Sequence, residues 1–276
     1  MLFRSYRTGK SPYTDFPAYD VISQAMGGIM AITGPDKDTP VKVGPGVGDI
    51  VPAITCAFGI VSAIFRAHKT GRGQFVDVGM VDAILAVCER IMHQHSFAQT
   101  LPVPEGNHHP LLCPFGMFPA KDGFVTIAAH ADTHFPILCR LIGKPEMATD
   151  PRFVTVQDRR ANQDVIIAAV SDFTRQRTKQ ELLKHLGGQV PFSPVYNVRD
   201  IVADPHFKAR EMLPWVPHPG LDHEVQIAGV AVKMTETPGK VRHRAPLLGE
   251  HTDQYLQSIG CSAGDIARLR TDKIVA

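Results

Sequence analysis

A single acidic residue, Asp49, separates a glycine-rich turn (Gly44, Gly46, Gly48) from residues 50–65, a run with no charged side chain. A carboxylate placed there can act as a nucleophile. Apolar neighbours push it towards the neutral acid, while the positive end of a following helix favours its charged form. The glycines permit backbone conformations closed to other residues and let a ligand come close. From Ile50 onward the chain reads as helix, with Asp49 as its N-cap and Pro52 tolerated in the first turn. The plainer reading of the same carboxylate is that it caps the helix and does nothing else.

The elements around Asp49 follow from the same stretch. The uncharged run is sixteen residues (50–65), fewer than the roughly 20 that a bilayer needs, and it holds Pro52, Gly59 and Ser62. It ends in Arg66-Ala67-His68-Lys69-Thr70-Gly71, cations followed by glycine, which is a helix stop in a soluble protein. Because it is apolar on nearly every side, the helix is expected to be buried on every side, as a core helix and not a membrane span.

Past the helix, H-K-T-G-R-G-Q (68–74) runs into F-V-D-V-G-M-V-D-A (75–83). Ahead of it stands S-P-Y-T-D-F-P-A-Y-D-V-I-S-Q-A-M-G-G-I-M-A-I-T-G (11–34). Downstream, in order, come K-D-G-F-V-T-I-A-A (121–129), D-P-R-F (150–153), D-P-H-F-K-A-R (204–210) and A-P-L-L-G-E-H-T (245–252). Together these segments resemble the family III CoA-transferases, the group containing formyl-CoA transferase and carnitine CoA-transferase, over nearly the whole chain.

The resemblance implies that Asp49 is the catalytic nucleophile and that CoA moves from an acyl-CoA donor to a carboxylic acid acceptor through an aspartyl anhydride and an aspartyl-CoA thioester. Coenzyme A is then a substrate, and no cofactor is bound permanently. It further implies that Ala18, Tyr19 and Asp20 contact CoA, with Pro17 standing where some members carry a lysine; a packed core position is the alternative for Tyr19. Gly106, Asn107 and His108 fall in the loop that covers the active site, where His108 and His109 would line the acceptor pocket unless they are exposed loop residues. Backbone donors for the oxyanion are expected in the first turn after Asp49 or at Gly106-Asn107.

Two alternatives stay open. Racemases of the same fold carry a G-H-D triplet where this chain has Ala18-Tyr19-Asp20, and tyrosine, with a pKa near ~10, is a poor substitute for a proton-transferring histidine. The other is a truncated, non-catalytic partner that contributes dimer surface.

The expected fold is α/β: an incomplete Rossmann-like large domain with a smaller α+β domain, in a homodimer of interlocked rings as in the family. No G-x-G-x-x-G element follows a predicted strand in the opening residues, where full-length members carry the first part of the sheet. The proline-rich stretch before Gly106 reads as a boundary. This gives residues 1–105 as the remaining CoA-binding domain, 106–212 as the small domain and 213–276 as a segment returning to the large one. Strands are expected at 74–78 and 123–129, with helices at 133–141, 162–175 and 179–186. A helix at 201–209 should break at Asp204-Pro205, β-alternation runs over 225–232, and 249–259 reads as helix.

At 276 residues the chain is long enough for a sizeable core, and a net charge of +2 gives no reason to invoke nucleic acid. The five cysteines show no C-x-x-C spacing, and the thirteen histidines offer no set of metal ligands. His93 and His95, two apart on a helix, point to different faces. The start lacks a signal-peptide core and Ile274-Val275-Ala276 is no peroxisomal address, so a cytoplasmic protein is expected.

Overall fold

The computed structural model describes residues 11–13 and 16–276. Expectations for the opening ten residues, and for Thr14 and Asp15, lie outside the described residues. The chain divides into two compact units, Met1–Val195 and Tyr196–Ala276.

Helix α1 (Asp20–Met26) is short and leads to α2 (Val47–Thr70), the longest helix of the chain's first unit. α2 starts at Val47 with Gly46 as its N-cap, so Asp49 lies within the first turn and does not cap it. It stops at Gly71, whose φ of 69° is the left-handed C-terminal conformation that glycine adopts without strain. After an extended stretch come α3 (Met80–Val87) and α4 (Glu89–Ser96). α1 packs against both α2 and α3. Their approach is close: a methyl group on Gly27 would sit 2.5 Å from Ile84 Cβ, and Ile84 is wholly buried.

The core-helix expectation is corrected here. α2 buries Gly48, Pro52, Cys56 and Ala63 on the side that meets its neighbours. Ile50, Ile54, Phe58, Val61 and Phe65, at helical spacing on another side, stay exposed, Phe58 by 76%. The described residues supply cover for one face only. At 24 residues α2 is long and apolar enough to cross a bilayer by length and composition alone. Its uncharged centre nevertheless spans only about 24 Å at 1.5 Å per residue, against a hydrocarbon core of about 30 Å.

The expected strand at 74–78 is likewise not formed. A strand exists only by pairing, and residues 72–79 belong to no strand among the described residues. Phe75 projects into solvent while Val76 packs against Gly59 of α2.

The rest of the first unit is an antiparallel sheet covered by helices. β1 (Phe115–Ala120), β2 (Gly123–Ala128) and β3 (Phe192–Pro194) lie in that order. Val125 and Ile127 of β2 point inward while Phe124 and Thr126 point out, the period-2 alternation of a half-covered sheet. The inward side meets α5 (Phe135–Leu141), α7 (Gln163–Thr174) and α8 (Lys179–Leu186) through Phe118, Phe135, Leu138, Ile166, Val170 and Leu182. A short helix, α6 (Val156–Ala161), precedes α7 and starts in a Thr155–Asp158 capping box; Thr178–Glu181 does the same for α8.

In the second unit, α9 (Val198–Ala203) and α10 (Pro205–Ala209) meet at the expected break, where Asp204 accepts from His206 N–H at 2.8 Å. β4 (Trp215–Val216) pairs with β5 (Val225–Gln226), so the alternation expected over 225–232 is realised for only two residues. α11 (Thr252–Ser258) falls inside the helix expected at 249–259, and α12 (Ala263–Thr271) closes the chain. The five strands are all antiparallel among the described residues.

Candidate active site

Asp49 owes its position to the turn ahead of it and to α1. The carboxylate of Asp20, in the first turn of α1, accepts the Gly48 N–H at 2.7 Å. Both oxygens of the same carboxylate accept from Gln24 Nε2, at 3.0 and 2.9 Å, and Gln24 Oε1 accepts the Val43 N–H at 2.9 Å. Ser23 donates to the Asp20 carbonyl at 2.8 Å, and Ser23 and Gln24 are fully buried. A negative charge at the N-terminal end of α2 also meets the positive end of its dipole. The helix carrying Asp49 is therefore anchored by a buried polar network.

Gly48 is required by contact rather than by conformation. A Cβ there would lie 2.4 Å from the Asp20 carbonyl oxygen and 2.9 Å from Asp20 Oδ1. None of Gly44, Gly46 and Gly48 has a positive φ, which corrects the expectation that they were chosen for unusual backbone angles.

The Asp49 side chain is exposed, and nothing among the described residues hydrogen-bonds to its carboxylate. The expected desolvation is absent because the exposed face of α2 and the mouth of the helix lie open together. The first-turn donors are also engaged: Val47 N–H on Pro45 O, Gly48 N–H on Asp20, and Asp49 and Ile50 N–H on Gly46 O. They do not offer an oxyanion hole in this arrangement. Gly106 N–H is equally occupied, by Gly34 O at 3.0 Å. Of the proposed donors only Asn107 N–H has no partner among the described residues.

Ala18 is half-buried on the stretch entering α1, and Tyr19 is 80% exposed, so Tyr19 is no packed core residue. Asp20 points at α2 rather than outward. Gly106 has φ of 70°, and its missing Cβ would lie 2.9 Å from Pro35 O. Asn107 O accepts Met117 N–H at 2.9 Å and His109 N–H donates to Phe115 O at 2.8 Å, so the loop lies along β1. His108 stands edge-on to buried Phe118 at 5.2 Å, and burial holds its pKa below the ordinary imidazole range. His109 is also half-buried. Neither is a free loop histidine.

The loop and the turn carrying Asp49 are linked by main-chain bonds and by the side chains of α1. Gly106 is bonded to Gly34, Thr33 O accepts Val41 N–H at 2.8 Å, and Val43 and Gly48 are both held by α1. Sequence reasoning missed the Asp20–Gln24 pair that closes this chain of contacts. Its signal was present, since an acid and an amide four apart on a short helix share one face. Among the described residues no three His, Cys, Asp or Glu side chains converge to hold a metal ion. All five cysteines are free thiols.

The sequence pattern described as CoA-transferase family III matches residues 4–252. The chain is 42% identical over 262 residues to a succinyl-CoA:mesaconate CoA-transferase of Haloarcula hispanica, covering 95% of this chain and 66% of that one. It is 33% identical over 270 residues to a succinyl-CoA–D-citramalate CoA-transferase of Chloroflexus aurantiacus, covering 96% and 66%. A solved structure of a CAIB/BAIF family protein from Brucella suis superposes with a TM-score of 0.78 at 30% identity, over 93% of this chain and 66% of that one. The chain thus spans 66% of the length of each of these two relatives.

Proposed function

This chain belongs to CoA-transferase family III, and we propose that it moves CoA from an acyl-CoA donor to a carboxylic acid acceptor with Asp49 as the nucleophile. The acceptor and donor acids are dicarboxylates, as the names of the Haloarcula and Chloroflexus relatives indicate for those proteins. The observation that carries the reading is the setting of Asp49: a carboxylate without a hydrogen-bond partner among the described residues, in the first turn of an anchored helix, inside a chain of this family.

The Asp49 carboxylate attacks the thioester carbonyl of the donor; the C–S bond breaks and CoA thiolate leaves, giving a mixed anhydride. The thiolate then attacks the aspartyl carbonyl and releases the donor acid as a carboxylate, leaving aspartyl-CoA thioester. The acceptor carboxylate displaces the thiolate to form a second anhydride. Thiolate attack on the acceptor's carbonyl completes the transfer and frees Asp49. No net proton is needed at any step, so the carboxylate works without a general acid or base beside it. The tetrahedral oxyanions call for backbone donors, and of those expected Asn107 N–H is free among the described residues.

Ala18 and Tyr19 provide contacts for CoA, while Asp20 serves by holding α2. Gly106, Asn107 and His108 form the loop over the acid. The active assembly is a homodimer of interlocked rings in the cytoplasm, with a Rossmann-like large domain to which residues 1–105 contribute, a small domain at 106–212 and a returning segment at 213–276. The uncovered stripe on α2 supports a face that other polypeptide must cover. The same stripe would suit a non-catalytic partner.

Intact-mass spectrometry after brief exposure to acyl-CoAs tests the reading. A CoA or acyl adduct that hydroxylamine removes, and that Asp49→Ala lacks, is the expected result. An adduct that persists in Asp49→Ala would assign the nucleophile elsewhere, and none with any thioester would favour the non-catalytic partner.

A further inference from the structure

Against Phe115, the first residue of β1, stand two side chains that the covalent chemistry does not use, His109 and His130, and the charges of Arg90 and Arg160 reach His109. The Phe115 ring stands edge-on to His109 at 5.1 Å and tilted against His130 at 5.4 Å, so one aromatic wall spaces two imidazoles. His109 Nδ1 accepts the Leu111 N–H at 3.1 Å. A ring nitrogen that accepts carries no proton, so neutral His109 holds its proton on Nε2 and donates there.

Arg160 spends its Nε on Pro110 O, the residue after His109. Its two terminal nitrogens have no partner among the described residues, and neither has the Arg90 guanidinium. His130 Nδ1 is buried with no hydrogen-bond partner among the described residues, a deficit that finished polar sites seldom carry. The backbone of His130 is fixed, because its carbonyl accepts from buried Arg159 at 2.8 Å. Arg159 also claims Asp132, which removes the nearby carboxylate from the cluster. Asp164, exposed on α7, is the other acid whose charge reaches this region. Burial, then the charges of Arg90, His130 and Arg160, hold the His109 pKa below its ordinary value. Two imidazoles flank one apolar ring, a guanidinium is held beside them at Pro110, and positive charge exceeds negative.

We propose that Arg160, His109 and His130 form a clamp for the distal carboxylate of a dicarboxylate substrate, with Phe115 against its carbon chain. The planar guanidinium suits a two-point carboxylate contact, and imidazole N–H groups complete it. The assignment rests on the transferase reading with dicarboxylate acids.

The test is side-chain NMR of the histidine rings in the whole chain, titrated with succinate, with uncharged dimethyl succinate and with inorganic phosphate. Succinate is expected to move the His109 and His130 signals and raise the His109 titration midpoint, and dimethyl succinate to leave them still. Arg160→Met, and His109→Phe, which keeps a ring against Phe115, should each weaken succinate binding by about tenfold or more, a loss larger than the small fall in melting temperature from their one broken bond to the loop can account for. Arg160→Lys, which keeps the charge and loses the fork, should fall between. Phosphate moving these signals while succinate does not would make this a phosphate pocket and overturn the clamp; so would silence from all three ligands. An Asp49 adduct from acetyl-CoA, whose acyl group has no distal carboxylate, reports the covalent chemistry separately. Adduct without succinate binding sinks the clamp alone, and succinate binding without adduct sinks the transferase reading alone.

Discussion

Replacing Gly48 with alanine should be far more damaging than its chemistry suggests. Alanine is the better helix former by about 1 kcal/mol, and the φ of Gly48 is not positive, so local propensity favours the change. Contact opposes it. The new Cβ would stand 2.4 Å from the Asp20 carbonyl oxygen and 2.9 Å from Asp20 Oδ1. One of these is backbone, so α1 must move away from α2. Overpacking of this kind costs about 1–3 kcal/mol. Displacing α1 also breaks the 2.7 Å bond between Gly48 N–H and the Asp20 carboxylate, and a hydrogen bond to a charged group contributes about 1.5–3 kcal/mol. After subtracting the helix gain, the net loss is about 1.5–5 kcal/mol. At about 2–4 °C per kcal/mol for a chain of this size class, a central loss of about 3.25 kcal/mol lowers the melting temperature by about 6.5–13 °C. Gly44 is the control, because nothing lies within 4 Å of a Cβ added there. Gly44→Ala should leave the melting temperature unchanged or raise it slightly. Circular dichroism melts of the two variants decide the matter: a Gly48→Ala melt within 2 °C (roughly 1 kcal/mol) of the parent, or equal losses in both, would refute the contact argument.

Other outcomes follow from the same structure. Arg159→Met should destabilise the first unit by about 3–5 kcal/mol, because the Phe153, Val154 and His130 carbonyls lose their donor; Asp132→Asn, at an exposed partner, should cost about 1 kcal/mol or less in the same denaturant titration. Thiol titration of the native chain with a disulfide reagent at pH 8 should find one fast equivalent, Cys261, since Cys56 and Cys88 are buried and burial pushes Cys113 up to about 12 and Cys139 up to about 11. A second fast equivalent would contradict this. In the second unit, the forked pair with Arg244 holds the Glu250 carboxyl at about 2, below its ordinary value. A depressed folded pKa gives stability that is present above the unfolded value near 4.5 and lost as pH falls towards about 2. Carbon-detected titration of the Glu250 carboxyl should place its midpoint there, and Arg244→Met should return it to the ordinary range.

Local signals read well from the sequence wherever one short segment decided the outcome. Gly71 ended α2 as a left-handed cap, Asp204-Pro205 split two helices, and alternation over Gly123-Phe124-Val125-Thr126-Ile127 made a strand. β1 was missed because Gly116 and Pro119 weaken the pattern, and an edge strand tolerates both. α12 was missed although Ser262 and Asp265 form the capping box that announces it. Outcomes set by distant partners were not legible. Residues 74–78 have strand composition and no strand beside them, and the apolar run of α2 says nothing of how many faces find cover. At the candidate site, the position of Asp49 in one turn was readable, whereas its exposure, the grip of Asp20 on Gly48 and the gathering of His130 and Arg160 near His109 depend on contacts between residues far apart in the chain.

The tie between the Gly106 loop and the Asp49 helix passes chiefly through main-chain atoms: Gly34 O, Gly106 N–H, Thr33 O and Val41 N–H. Main-chain bonds persist when side chains change. Under the proposed roles, side chains at Asn107, His108 and His109 could be exchanged, and with them the acid accepted, while the main-chain bonds kept Asp49 in place. Substrate choice and covalent chemistry would then rest on separable parts of the chain.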